Sequence, residues 1–379
     1  MRLDLLKELA KAHLGMLPIV WLLIGSPAFC SIIDIVPAVP PGAVSLCNPQ
    51  FDGPISRGID LTFTDQYEES VQIFDSLLKA YPQHPAPYFF KAAAYQGWMS
   101  TFRTNRFQNE LEHNIEEAIR KGESMLRQGQ DPWIFFYVGA AYGFRALYRF
   151  RKQDWISAYL DAEKGVDHFR EALEREPLLY DTYLGLGTYH YWRSAKSETL
   201  RLLAFWIPDK RELGLQQLRF AFEHGRYAVH EAGYSLVAAY YDAGRNEKAM
   251  ESLSQTIQGK KKLGLADLYY KGRLLIRFKE WRAVEDTFRE LLKAIQSQDI
   301  VSVGYEVECQ YWIAVALAAQ NRKAEARDVV EQALLLGEKR DGFKELEGPF
   351  ESFREINLKL FGLRYRLTEK KEKPTVTPP

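Results

Sequence analysis

The sequence predicts an all-α protein, a solenoid of antiparallel helix hairpins over residues 59–367. Three observations predict it. Apolar residues recur at three- and four-residue spacing from Gly58 to about Leu367. No sustained period-two run of β-branched residues interrupts them. A small or slim residue also recurs at Ala92, Gly139, Gly187, Val237, Gly272 and Ala314, in steps of 47, 48, 50, 35 and 42 residues. Self-similarity on that scale marks a stacked array of helical units, none of which buries its apolar face alone.

The first element, residues 1–33, is read as a signal peptide or a membrane anchor. Arg2, Lys7 and Lys11 precede an apolar run from Leu14 to Gly25, and Ser26-Pro27-Ala28 offers small residues for cleavage. Asp4, Glu8 and Pro18 depart from that pattern. Apolar character resumes up to Ile33, so the stretch from Leu14 reaches about the ~20 residues a spanning helix needs. Either reading places the repeats outside the cytosol, in a bacterial periplasm or on its membrane; a buried cytosolic helix is the alternative. Residues 34–58 are rich in Pro and Gly and are expected to be a linker. The tail, 368–379, is polar, Pro-rich and expected to be disordered.

Composition narrows the function. Of 379 residues, 46% are hydrophobic, ample for a core. Lys plus Arg and Asp plus Glu both number 50, so the formal net charge is zero. Nucleic-acid binding needs many uncompensated cations, which this balance argues against. Cys30, Cys47 and Cys309 are too few for a disulfide framework. Cys30 and Cys47 either pair in an exported chain or are incidental thiols, and Cys309 reads as a small buried hydrophobe.

Within the repeats, Tyr88-x2-Lys91-Ala92-x2-Tyr95, Phe135-x2-Val138-Gly139-x2-Tyr142 and Tyr183-x2-Leu186-Gly187-x2-His190 begin three hairpins. Gly165-x3-Phe169-x2-Ala172, Gly214-x3-Leu218-x2-Ala221, Ala249-x3-Leu253, Val284-x3-Phe288-x2-Leu291 and Ala326-x3-Val330-x2-Ala333 are second helices. Small residues let the two helices of a hairpin approach, and large ones fill the groove to the next. In this the chain resembles the tetratricopeptide repeat family over roughly four fifths of its length. The resemblance implies a right-handed superhelical solenoid that binds another protein. It departs from the family's 34-residue period, so the early units carry insertions. The early segments also look like a group of bacterial exported repeat proteins.

In that family the first helix of each hairpin lines a concave groove. Carried onto this sequence, the groove column is Phe89, Phe136, Leu184, Tyr234, Tyr269 and Tyr311, and a further position adds Tyr191 and Tyr241. The candidate partner-binding residues are Phe89, Phe136, Tyr191, Tyr234, Tyr241, Tyr269 and Tyr311. Aromatic anchors suit an apolar protein segment. The alternative is that these rings pack against the adjacent repeat. A second candidate is the insertion Arg193 to Lys210, where Leu203, Phe205 and Trp206 give more apolar surface than a loop needs. It either touches a partner or membrane, or folds back on the solenoid.

Motifs for chemistry are missing. His230-Glu231 lacks a second His four residues on, and Gly185-Leu186-Gly187 lacks a third Gly and a preceding strand. There is no phosphate loop or nucleophile elbow. The seven histidines are scattered, without metal-ligand spacing, and His190 reads as a hydrogen-bonded core residue. The sequence therefore predicts no catalytic residue, metal or cofactor, and a scaffold of the bacterial envelope holding a protein or peptide segment. The alternatives are a self-assembling structural module and a helical toroid with paired carboxylates acting on carbohydrate.

Overall fold

The structure, a computed structural model, describes residues 32–39, 42–196 and 208–368. The described residues form fifteen α-helices: α1 Asp52–Thr62, α2 Tyr67–Ala80, α3 Pro85–Phe102, α4 Gln108–Leu126, α5 Pro132–Arg151, α6 Trp155–Arg175, α7 Thr182–Lys196, α8 Arg211–His224, α9 Val229–Asp242, α10 Asn246–Thr256, α11 Leu265–Phe278, α12 Trp281–Gln296, α13 Val303–Ala319, α14 Lys323–Gly337 and α15 Phe353–Thr368. Consecutive helices pair as hairpins, and α15 closes the series. The all-α array of helix hairpins expected from the sequence is the fold.

The small-and-large pattern works as anticipated. In the α5–α6 hairpin a Cβ on Gly139 would lie 3.0 Å from the Gly165 carbonyl oxygen. In the α7–α8 hairpin a Cβ on Gly187 would lie 2.8 Å from the Gly214 oxygen, and one on Gly214 2.6 Å from the Tyr191 nitrogen. Glycine at both points lets two backbones touch. Beside them Phe169 and Leu218 are buried, as is Phe288 against Gly272 in the α11–α12 hairpin, each contributing about 2 kcal/mol by leaving water.

The turns repeat a second device. Asp65, Arg103, Gln153, Gly244, Lys279 and Asn321 all hold positive φ, between 51° and 70°. Each ends the first helix of a hairpin. At Gly244 its N–H donates to the Tyr241 oxygen at 3.1 Å, and Arg245 N–H reaches back to the Tyr240 oxygen at 2.8 Å. The same pair of bonds recurs after Lys279 and Asn321. This left-handed stop satisfies the last helical carbonyls and reverses the chain.

Two compact units divide the described residues, one within Met1–Gln50, Gln83–Phe89 and Ile115–Ser235, the other within Phe51–Pro82, Phe90–Asn114 and Leu236–Pro379. In the first, residues 45–48 are bound rather than loose. Ser45 N–H donates to the His224 oxygen at 2.6 Å, and Asn48 N–H to the Tyr227 hydroxyl at 3.0 Å. Buried Asp181 accepts the N–H groups of Arg226, Tyr227 and Ala228 at 2.8 to 2.9 Å. His190 lies in the core as read from sequence, its Nδ1 2.7 Å from Gln217 Oε1.

In the second unit the expected linker 34–58 ends early, because α1 begins at Asp52. Pro54 falls in the first helical turn, where its missing N–H costs nothing. Gly58 is a contact position of the α1–α2 hairpin: Ser70 Oγ donates to its oxygen at 2.8 Å, and a Cβ there would overlap the Phe74 ring. This unit also joins distant stretches of chain. Asp65 Oδ2 accepts the Leu265 N–H at 3.0 Å, and residues 103–105 pair with 344–346.

The expected signal peptide or anchor, residues 1–33, and the tail lie almost wholly outside the described residues. Among those described, no helix is long and apolar enough to cross a membrane.

Candidate functional site

In the second unit, residues 236–242 of α9 together with α11 and α13 supply a wall of packed side chains. Helical spacing places Tyr269 and Arg273 on one face of α11, and Tyr305, Glu308 and Trp312 on one face of α13. Arg103 joins them from the turn after α3. Its φ of 51° is a conformation a bulky side chain adopts at a cost, so the wall holds it there.

Glu308, with 1% of its side chain exposed, is the hub. Arg103 Nη1 donates to Oε2 at 2.6 Å; Tyr269 Oη and Arg273 Nη1 donate to Oε1 at 3.0 and 3.2 Å. Arg273 Nη2 reaches the Tyr241 hydroxyl at 3.1 Å. The Arg103 guanidinium lies 3.7 Å from the Tyr305 ring centre, and that of Arg273 4.8 Å from Trp312. Burial alone would lower both arginine pKa values, but the Glu308 charge and the neighbouring tyrosines outweigh it and hold both above the ordinary value. Burial pushes the Tyr269 and Tyr305 phenols well up, so both stay protonated.

Two buried guanidinium groups thus share one buried carboxylate. The second negative charge comes from elsewhere in the chain. Residues 341–352, between α14 and α15, run without regular structure across this wall. Leu346 N–H donates to the Arg103 oxygen at 2.9 Å, and Asn105 N–H to the Lys344 oxygen at 2.8 Å. Glu345 accepts the Val303 and Gly304 N–H groups, at 3.0 and 2.8 Å, where α13 begins. Phe350 stacks on Tyr269 with ring centres 6.0 Å apart and planes 13° apart, and lies 4.4 Å from Tyr241. Glu351 accepts from Arg273 and Lys359. Burial raises the Glu351 pKa, but Arg273 and Lys359 together more than reverse this and hold it below the usual carboxylate range. Gly348 lets the segment lie close: a Cβ there would be 2.8 Å from the Glu351 oxygen and 3.1 Å from both Arg103 Nη1 and Glu308 Oε2.

All seven rings expected to face a groove are buried, none more than 8% exposed. In the second unit Tyr241 and Tyr269 meet around Phe350, while Tyr311 packs on Trp312 at 4.8 Å. In the first unit Phe89 meets Phe136 at 6.2 Å and also Tyr137, and Tyr191 packs on Trp192. Tyr234 is buried there too. Of the two readings left open by the sequence, rings facing a groove and rings packed against their neighbours, the burial of all seven matches the second. Neighbouring rings and, around Tyr241 and Tyr269, the chain's own segment occupy their surfaces. Leu203, Phe205 and Trp206 lie outside the described residues.

Sequence reasoning missed Arg103, Arg273, Glu308, Gly348, Phe350 and Glu351. Glu308 carried a partial signal, being one of two carboxylates, with Glu306, in the largely apolar stretch from Val303 to Ala319. Among the described residues no group of three or more His, Cys, Asp or Glu is placed to hold a metal ion. Cys309 is buried, and burial pushes its thiol well up.

No protein-family model matches this chain, and no curated protein matches it. Among solved structures it is similar to the C-terminal part of a TPR repeat-containing protein from Cytophaga hutchinsonii. The two share 15% identity over 76% of this chain and 96% of that one, with a TM-score of 0.39. It is also similar to the TPR domain of P58(IPK), at 13% identity over 85% of this chain and all of that one, with a TM-score of 0.23.

Proposed function

We propose that this chain is a non-catalytic, protein-binding scaffold of the bacterial cell envelope. One observation carries the reading: its inner wall already grips an extended stretch of polypeptide. Main-chain pairing, ring stacking and carboxylate–arginine bonds are the means by which folded domains hold peptide segments. The basic and apolar N-terminal sequence supports export or anchoring.

The test is affinity capture from an envelope fraction, with Arg273→Gln as the comparison. That change removes a wall donor while Glu308 keeps Arg103 and Glu351 keeps Lys359. A protein held by the native chain and lost with the variant, at unchanged helicity, supports the reading. Retention indifferent to both Arg273→Gln and Tyr241→Ala overturns it.

One observation favours self-assembly as a second reading. At the α5–α6 turn Leu147, Phe150, Trp155, Ile156 and Leu160 are each 40 to 52% exposed, an apolar cluster of the kind that marks contact surfaces. Solution mass of the native chain and of Trp155→Ser/Ile156→Ser tests it. A mass that exceeds the monomer and falls to it in the variant supports assembly; a native monomer removes it.

A further inference from the structure

We propose that residues 341–352 are a displaceable internal ligand, and that the wall's partner is an extended acidic segment in which Phe is followed directly by Glu or Asp. This rests on the protein-binding reading and specifies the occupant of the same site.

Charge sets the requirement. With the segment in place, Arg103 and Arg273 face Glu308 and Glu351, and the buried charges balance. With it removed, two guanidinium groups face one carboxylate. A buried charge without a counter-charge is strongly unfavourable, so whatever replaces the segment brings an anion to Arg273. The ring site beside it, made by Tyr241, Tyr269 and Tyr270 around Phe350, asks for an aromatic residue at the preceding position. A second acidic residue, five places before the aromatic, meets the two free N–H groups at the start of α13, as Glu345 does. The main-chain bonds to residues 103–105 accept any extended sequence.

The hold is incomplete. Buried Arg103 Nη2 and Arg273 Nε have no acceptor among the described residues. Both belong to side chains on which the segment rests, and Arg103 also lines a small cavity with Glu308, Arg340, Glu347, Gly348 and Glu351. Apart from Phe350 and half-buried Leu346 the segment buries little apolar surface: Phe343 is 95% exposed, and Lys344, Glu347 and Pro349 face solvent. An external segment with one more carboxylate satisfies donors that the internal one leaves open, and each such donor is costly to bury unmet.

The experiment uses the full chain and a labelled peptide of the internal sequence, Glu-Leu-Glu-Gly-Pro-Phe-Glu, read by fluorescence anisotropy. Gly348→Ala unseats the segment while leaving every wall side chain intact. If the segment covers the wall about nine tenths of the time, unseating it tightens peptide binding about tenfold. That increase, lost when the peptide's Phe is replaced by Ala or its last Glu by Gln, is the expected result. Equal affinity for native chain and Gly348→Ala overturns the proposal. A measurement on the native chain guards against a variant that misfolds. The Leu346 amide must exchange with solvent much faster than amides in the middle of α13; exchange at the same rate overturns it. The two readings fail separately. Tenfold tighter peptide binding with no envelope protein retained removes the scaffold. Retention through Arg273 with peptide binding indifferent to Gly348→Ala removes the internal ligand.

Discussion

Glu308 carries more of the second unit's stability than any one pair of atoms indicates. It accepts from Arg103, Arg273 and Tyr269 while almost fully buried. Glu308→Gln keeps the shape and removes the charge, leaving Glu351 alone against two guanidinium groups. Breaking a buried ion pair from one side costs about 3–5 kcal/mol, so chemical unfolding of the variant is expected to begin at clearly lower denaturant. His84 offers a pH-dependent counterpart in the first unit. Burial lowers its pKa from 6.5 to about 4, against a weak opposing pull from Asp131. The Ala86 N–H donates to its Nδ1 at 3.2 Å, which requires that nitrogen unprotonated. Between pH 6.5 and about 4 the unfolded chain binds the proton and the folded chain does not. Stability from this group is therefore complete above pH 6.5 and is lost as pH falls toward 4. A loss of about 1–2 kcal/mol between pH 7.5 and 5 is expected, and is absent from His84→Asn when the two unfolding curves are compared at both pH values. His190 was legible as a core residue from its place in a repeat. Arg103 was not, since nothing in its type announces a left-handed turn position with a buried guanidinium.

At the scale of the element, the hairpins were legible because close approach demands glycine and leaves its mark. The Gly187–Gly214 contact brings α7 and α8 together with no room for a methyl group. Gly187→Ala places a carbon within 3 Å of the Gly214 oxygen, the Leu218 nitrogen and the Leu218 side chain. Two of these atoms are backbone and cannot swing aside. Overpacking of this kind costs about 3 kcal/mol, and a matching fall in the unfolding free energy is expected. Gly143, with open space around it, is the control whose change to Ala leaves stability nearly unaltered. The turn positions were half legible. Gly244, Asn321 and Asp65 are residue types that tolerate positive φ, whereas Lys279, Gln153 and Arg103 adopt it because the pairing of helices leaves no other path. The segment from Asp341 to Ser352 was illegible for a different reason. It has no periodicity of its own, and its conformation is set by the wall it lies against.

For the molecule as a whole, one feature departs from a one-dimensional array. In such an array each repeat feels only its neighbours, and cutting one end leaves the other end unchanged. Here Phe51–Pro82 and Phe90–Asn114 share a compact unit with Leu236–Pro379. Bonds between residues more than 200 positions apart cross within it, from Arg103 to Glu308 and from Asn105 to Phe343. Closing so long a loop costs entropy, which packing along the whole interface offsets. Ends joined in this way melt together. Removing residues 341–379 takes away the pairing to residues 103–105, the second carboxylate for Arg273 and the packing of α15. Faster amide exchange is then expected not only in α13 and α14, beside the cut, but also from Phe90 to Asn114, far from it in sequence. Amides of α5 to α8, in the other unit, are expected to keep their protection. Hydrogen exchange on native and shortened chains decides this. An unchanged rate from Phe90 to Asn114 shows that the two ends fold independently.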